Sequence, residues 1–319
     1  MIRHIRALWG RAWLVPAIPL LYAVAVGLLG DLRTEHVVVG LLACAVGYAN
    51  AKTKQFYVDA LPAVAVGIGY DLVRYARAPL VTPERVLGCE LRNLELALFS
   101  VAPGVTPQDW FALHHHPVAD LVLAVPYLIY LYLLLTYAFY LYFVDRPRMR
   151  HLLWSFAIAN YMAFFFWLAL PAAPPWYVRT YGCAIDVSVA PSPAGLLRVD
   201  HLLGMSYFRE FYARAASVFG ALPSMHCAYP LLGLLTARHV ATARTWPIHI
   251  GYVLAMFAAS IYFDHHWIID GLLGWVLAIV AVAAAKALLT RRSAPLVAPE
   301  LGIESQWSEA RGPAPPKVL

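Results

Sequence analysis

Long apolar runs separated by short polar connectors organise most of this chain. The first, residues 12–30, follows Arg3, Arg6 and Arg11. It is long enough to span a bilayer, and it lacks the short core and small-residue cleavage site of a removable signal peptide. A second run, residues 37–51, stops at Lys52 and Lys54. A third, residues 60–72, is short, contains glycine and ends in Asp71 and Arg74, so it either crosses or re-enters. Residues 77–120 are more polar, but apolar positions recur at helical spacing over residues 87–99 and predict an interfacial amphipathic helix. Five clear spans follow, at residues 121–144, 152–170, 225–240, 248–263 and 267–289.

Charge in the connectors sets the expected topology. The segment Asp145-Arg146-Pro147-Arg148-Met149-Arg150-His151 is short and basic, as are the turn holding Arg238, His239 and Arg244 and the tail start at Arg291-Arg292. The positive-inside rule places these in the cytoplasm together with the N-terminus and the Lys52/Lys54 turn. Alternation closes if the third run spans, which predicts an all-α polytopic membrane helix bundle of about eight transmembrane helices. We expect N-terminal membrane helices and the amphipathic segment in residues 1–116, a catalytic membrane core in 117–290, and a disordered cytoplasmic tail in 291–319, which is rich in Pro and Ala without periodicity. Span counting alone then brings His226 and His266 to one non-cytoplasmic face.

Composition agrees and narrows the function classes. The chain is 61% hydrophobic and 13% charged, against roughly a quarter charged in soluble domains, which excludes an ordinary soluble enzyme, a disordered chain or a secreted disulfide scaffold. The net charge of +6 is scattered, without the basic face that nucleic-acid binding needs. Cys44, Cys89, Cys183 and Cys227 lack metal spacing. Cys44 and Cys227 lie in apolar runs and read as small buried hydrophobes, whereas Cys89 and Cys183 lie in polar connectors and pair only if both face an oxidising compartment. The adjacent His114, His115 and His116 cannot all converge on one ion within regular secondary structure, so neither a metal nor a cofactor is expected.

Two short segments carry candidate chemistry. In Gly220-Ala-Leu-Pro223-Ser224-Met-His226, a proline opens a helix whose free N–H groups favour an anion, with the Ser224 hydroxyl and the His226 imidazole within the first turn. In His265-His266-Trp-Ile-Ile-Asp270, His266 and Asp270 share a helix face at i and i+4. A carboxylate there fixes the tautomer of a nucleophilic or proton-transferring imidazole, and an aspartate inside a span is functional by default.

Together the PSxH and HxxxD elements resemble the type 2 phosphatidic acid phosphatase superfamily, and within it the inositol phosphorylceramide synthase branch. Pro171-Ala-Ala-Pro-Pro-Trp176-Tyr177, Gly195-Leu-Leu-Arg198-Val-Asp200, Phe219 to His226 and His265 to Asp270 carry the resemblance in this order. It implies a six-helix catalytic core, His266 as the nucleophile of a phosphohistidine intermediate, Asp270 as its orienting partner and His226 as acid and base. Ser224 and Pro223 at the helix start, Trp176, Arg198, Asp200 and His265 are the expected substrate-binding residues, with His265 also the competing nucleophile. Phosphatases of the superfamily carry a basic first motif and an arginine six residues before the nucleophile; here these places read PAAPPWY and Ser260. Arg179, Arg198 and Arg214 are left to supply charge from the outer loop.

A site poor in arginine suits a phosphodiester monoanion better than a phosphomonoester dianion. The resemblance therefore implies a membrane phosphotransferase that moves phosphoinositol, or a similar headgroup, from a phospholipid donor to a lipid acceptor such as ceramide. The alternative is a lipid or polyprenyl phosphate phosphatase. A proton-relay transporter would show midplane charges and an inverted repeat, and the sequence has no such repeat. In a bacterium the catalytic face would look out of the cytoplasmic membrane.

Overall fold

The structure is a computed structural model that describes residues 2–237 and 242–293; among these the chain is helical, with isolated backbone bridges and no strand. The expected disordered tail lies almost wholly outside the described residues.

The first apolar run is not one straight helix. Helix α1 (Ile2–Trp9) and helix α2 (Ile18–Leu28) are joined by two 3-10 turns, and the path bends by 96°. Pro16 and Pro19, which lack backbone N–H groups, sit where α-helical hydrogen bonding fails. Helix α3 (Thr34–Ala49) stops at Asn50, whose side chain accepts the N–H groups of Lys52 and Thr53 (2.9 and 3.1 Å) and so caps the next helix. Lys52 and Lys54 thus open a helix rather than merely ending a span.

That next element corrects the weak third run. Helix α4 (Ala51–Leu80) is continuous over 30 residues, without the break of a re-entrant segment, and is long and apolar enough to cross. The charges that weakened the run are paired inside the protein. Asp59 takes Arg146 and Arg150, and Asp71 takes Arg33 and the Tyr22 hydroxyl (2.5 Å).

Helix α5 (Cys89–Phe99) is the expected amphipathic segment, followed by a short α6 (Pro107–Leu113). Helices α7 (Pro117–Val144) and α8 (Arg146–Ala169) are long spans. Three short helices, α9 (Pro175–Tyr181), α10 (Leu197–Leu203) and α11 (Tyr207–Ala213), fill the long loop before α12 (Met225–Ala237), α13 (Trp246–Tyr262) and α14 (Ile268–Ser293). Among the described residues, four helices qualify as crossings by length and composition, five if the bent first pair counts as one; α3, α12 and α13 are apolar but shorter. Four or five of the eight expected crossings therefore meet the length criterion.

Helix α8 is central, packing on α4, α7, α12 and α14. Small residues make this possible: Ala159 and Ala163 on α8 and Ala278 and Ala281 on α14 are fully buried in one cluster, letting backbones approach as they do within membranes. The outer face of α7 exposes Val122, Phe139 and Phe143, as a lipid-facing surface requires. The Lys52 turn and the basic 145–151 connector lie at one end of the bundle, where the Tyr142 hydroxyl reaches the Lys52 carbonyl (3.5 Å) and His151 lies 3.0 Å from the Val282 carbonyl; Arg238 and His239 of the third basic turn lie outside the described residues. The two motif segments meet at the other end.

Candidate active site

Three extended strips of chain assemble the site before any side chain is considered. Ala172 bridges to Leu87 on one side and Gly220 on the other. The Leu87 N–H donates to the Pro171 carbonyl (2.8 Å), and the Ala172 N–H to the Phe219 carbonyl (2.9 Å). The same segment reaches the second motif: the indole N–H of Trp267 donates to the Ala173 carbonyl (3.0 Å), and the Trp176 N–H to the Asp264 carbonyl (3.1 Å). The Pro-Ala-Ala-Pro-Pro-Trp stretch is thus the backbone clip holding both histidine motifs.

The turn Asp264-His265-His266 is equally constrained. Asp264 has φ +67, a conformation L residues seldom adopt, and its carboxylate is ion-paired with Arg179. The N–H groups of His265 and His266 both reach the Ser260 carbonyl at 3.1 Å. Helix α14 then leans against the start of α12, where the Ser224 N–H donates to the Asp270 carbonyl (2.9 Å). Gly274 permits this approach, since a Cβ there would lie 2.3 Å from the Ser224 carbonyl oxygen.

These supports bring the two imidazoles into contact, with His226 Nδ1 3.0 Å from His266 Nε2. His266 Nδ1 lies 3.0 Å from the Ala221 carbonyl oxygen and 3.5 Å from Asp270 Oδ2. A carbonyl can only accept, so in the neutral ring Nδ1 carries the proton and Nε2 presents its lone pair. His226 Nδ1 must then be the donor to it. Asp270 is fully buried, and its Oδ2 also accepts the Trp267 N–H (2.9 Å). Orientation of His266 is therefore shared between Asp270 and the Ala221 carbonyl, the latter having no sequence signal.

Tyrosines enclose the pair. The Tyr212 hydroxyl lies 3.4 Å from both His226 Nε2 and His265 Nδ1, and the rings of Tyr127 and Tyr130 lie 4.7 and 4.9 Å from that of His226. His265 stacks on Tyr212, and burial, then the neighbouring His266, lowers its pKa to about 3. A neutral His265 without a carboxylate is a wall of the site. Tyr127 and Tyr130 at i and i+3 on α7 were findable as an aromatic pair; Tyr212, on the short helix α11 inside the outer loop, was not.

His226, His265, His266, Tyr212, Trp176 and Arg214 line the polar end of a cavity of about 610 Å³. Its other walls are largely apolar residues of α4, α7, α8, α12 and the outer loop, with Asn160, Ser192 and Ser217 among them. A larger groove of about 820 Å³ between α4 and α8 holds none of the motif residues.

Several expected contacts lie elsewhere. Ser224 is fully buried and its hydroxyl accepts the Cys227 N–H (3.3 Å), so it caps α12. Pro223 follows a cis peptide bond at the same corner. Arg198 pairs with Asp120 (2.8 Å), lies over the Tyr262 ring and lines a separate outer pocket. Asp200 is fully buried and accepts the N–H groups of Phe208 and Arg209 (3.0 and 2.9 Å) at the start of α11. It is neither a headgroup contact nor a salt bridge, because a buried carboxylate at a helix start is satisfied by backbone donors. Arg179 and Arg198 are thus spent on carboxylates, leaving Arg214 as the arginine that lines the cavity.

The half-buried Cys44 and buried Cys227 are free, while Cys89 and Cys183 form a disulfide across 94 positions. His114 stacks on Trp110, and the His116 ring accepts the Val118 N–H at the start of α7.

A family model described as PAP2 superfamily matches residues 94–284, which hold the Pro171–Tyr177 stretch and both histidine motifs. The chain belongs to the PAP2 superfamily. It is 35% identical over 262 residues to a phosphoinositol dihydroceramide synthase of Bacteroides thetaiotaomicron, covering 80% of this chain and 83% of that protein. It is 31% identical over 176 residues to the inositol phosphorylceramide synthase catalytic subunit of Schizosaccharomyces pombe, covering 54% of this chain and 42% of the relative. The corresponding Saccharomyces cerevisiae subunit is 33% identical over 111 residues, 34% of this chain and 27% of its own. No solved structure is significantly similar to the chain. As a member of the PAP2 superfamily with several helices able to cross a bilayer, the protein is a multi-pass membrane protein. Ser260, one of the two places where the sequence departs from the phosphatase pattern it resembles, gives its carbonyl to the histidine turn.

Proposed function

We propose that this protein transfers phosphoinositol from a glycerophospholipid to a lipid hydroxyl such as that of ceramide, through a phosphohistidine. The supporting observation is the His226–His266 contact in a cavity whose other walls are largely apolar. Such a space suits a molecule with a phosphoryl group at one end and acyl chains beyond it. The names of the similar synthases supply the headgroup and the acceptor class.

In the first half-reaction His266 Nε2 attacks phosphorus and an N–P bond forms. The ester bond to diacylglycerol breaks, and protonated His226 passes its Nδ1 proton to the departing alkoxide. In the second half, neutral His226 takes the acceptor hydroxyl's proton while that oxygen attacks phosphorus. The N–P bond breaks and His266 is restored. Asp270 and the Ala221 carbonyl stabilise the ring through both halves. Arg214 is the cation placed to meet the phosphodiester's single negative charge, and Trp176 walls the headgroup space.

We further propose that the catalytic end faces away from the cytoplasm of a bacterial membrane. The Cys89–Cys183 disulfide sits at that end, and the Lys52 turn and the basic 145–151 connector at the other, which supports an oxidising exterior on the catalytic side and fits the positive-inside rule. Residues 117–290 would form the catalytic core, with the preceding helices as its support. Purified protein given headgroup-labelled phosphatidylinositol and ceramide should yield a labelled phosphoinositol-sphingolipid. If label appears only in free inositol phosphate, the protein is a hydrolase and the transferase reading fails.

A further inference from the structure

Helix α5 was expected to rest on the membrane surface, yet its inner face carries a fully buried acid, Glu95. Burying a carboxyl group away from water is costly unless its oxygens accept hydrogen bonds. The bonds it makes are specific. Glu95 Oε1 accepts the Ile268 N–H (2.9 Å) and the Gln108 side-chain amide (2.8 Å). The same Gln108 amide also donates to the His266 carbonyl oxygen (3.1 Å). Two side chains from α5 and α6 therefore grip the backbone on either side of Trp267, at the residue proposed as nucleophile and at the first residue of α14. Among the described residues no cation pairs with Glu95.

The grip is itself braced. Arg92, one turn before Glu95, makes a two-pronged pair with Asp109, the neighbour of Gln108 (3.1 and 2.6 Å). That pair locks α5 to α6, and the Cys89–Cys183 disulfide ties the start of α5 to the outer loop. The α14 start has unsatisfied N–H groups like any helix, and Asp270 Oδ2 takes the Trp267 N–H. Glu95 takes the next one from outside the helix. Without it, the turn between His266 and Asp270 would lose its outer anchor, and the His266 ring would no longer be held against both Asp270 and the Ala221 carbonyl.

We propose that Glu95, acting with Gln108, is a positioning residue that sets the angle of the His266 imidazole. This rests on the reading of His266 as the reacting group. Burial and the nearby Asp270 raise the Glu95 pKa, against the lowering effect of its N–H donors. A neutral amide in its place is therefore tolerable. The Glu95→Gln variant keeps the acceptor for Ile268, whereas Glu95→Ala removes it.

The test uses the full chain in detergent–phospholipid micelles, with rates per folded protein from monodisperse material. Glu95→Ala should lower kcat about 10- to 100-fold, as expected of a misaimed reacting group. KM for the donor lipid should change by less than about twofold, and Glu95→Gln should restore most of kcat. If Glu95→Ala does not fold, Gln108→Leu serves instead, with the same kcat-selective loss expected. Acylation of His266 by diethyl pyrocarbonate, read by mass spectrometry, gives a second readout that needs no lipid turnover. It should change in rate in Glu95→Ala or Gln108→Leu and return in Glu95→Gln. Unchanged kcat and unchanged acylation per folded molecule would overturn the proposal. Altered acylation in a protein whose wild type shows no transfer would sink the functional reading and leave the positioning role standing.

Discussion

His226 Nδ1 and His266 Nε2 lie 3.0 Å apart across forty positions of sequence. Neither ring could hold this place alone: one rides the first turn of α12 and the other a turn anchored by Ser260, Asp264 and α5. The contact makes the first prediction sharp. Labelled donor without acceptor should leave acid-labile, alkali-stable label on the wild-type chain. His266→Ala should take up none and lose transfer, while remaining monodisperse. Label retained in that variant would move the nucleophile elsewhere.

Asp270→Asn should reduce kcat by about 10²-fold. Where a carboxylate alone fixes the tautomer of a catalytic imidazole, the same exchange costs about 10⁴-fold. Here the Ala221 carbonyl still holds the Nδ1 proton (3.0 Å), so the tautomer survives and only imidazolium stabilisation is lost. Steady-state rates at saturating lipid decide between the two magnitudes.

Arg214→Ala should raise KM for the phospholipid donor about tenfold, the scale of one charge-assisted hydrogen bond. Arg214 lines the cavity, whereas Arg179 and Arg198 are held by Asp264 and Asp120. The same exchange at Arg198 should leave KM unchanged. Surface-dilution kinetics with varied donor fraction measure both.

Stability should fall on acidification through His265. Its pKa is near 3 in the folded protein, with burial the main cause, and about 6.5 when unfolded. Between those values the unfolded chain binds the extra proton. This contribution is therefore fully present above about pH 6.5 and is lost as pH falls toward 3. His265→Asn should flatten the stability curve in that window by up to about 1.4 kcal/mol per pH unit. Thermal unfolding across pH 4 to 7 reads the slope; identical slopes would refute the assignment.

Cys89→Ser with Cys183→Ser should lower stability by about 2–4 kcal/mol, the usual effect of opening a long covalent loop. A similar fall in Tm of the wild-type protein under strong reductant, absent in the double variant, would tie the loss to this bond.

Much of this architecture was legible beforehand because each cue is local. Apolar runs declare spans, basic connectors declare one end of the bundle, and PSxH with HxxxD marks the helix starts that meet. The 60–72 segment read as weak because it is short and ends in Asp71 and Arg74; it is the middle of a longer helix, and Asp71 finds Arg33 from a distant connector, which no local window shows. Arg198 and Asp200 misled for the converse reason. Their residue types suit a headgroup, but Asp120 and the start of α11 claim them.

Residue order by itself determined that the chain is a helical membrane protein and that His226, His266 and Asp270 share one end, since hydropathy, charge bias and helical periodicity act along the chain. Only the tertiary structure decided which atoms face which: the Ala221 carbonyl on His266, the tyrosines around His226, and Glu95 beneath the histidine turn. A buried polar atom must find a partner in three dimensions, and the identity of that partner depends on packing between distant segments.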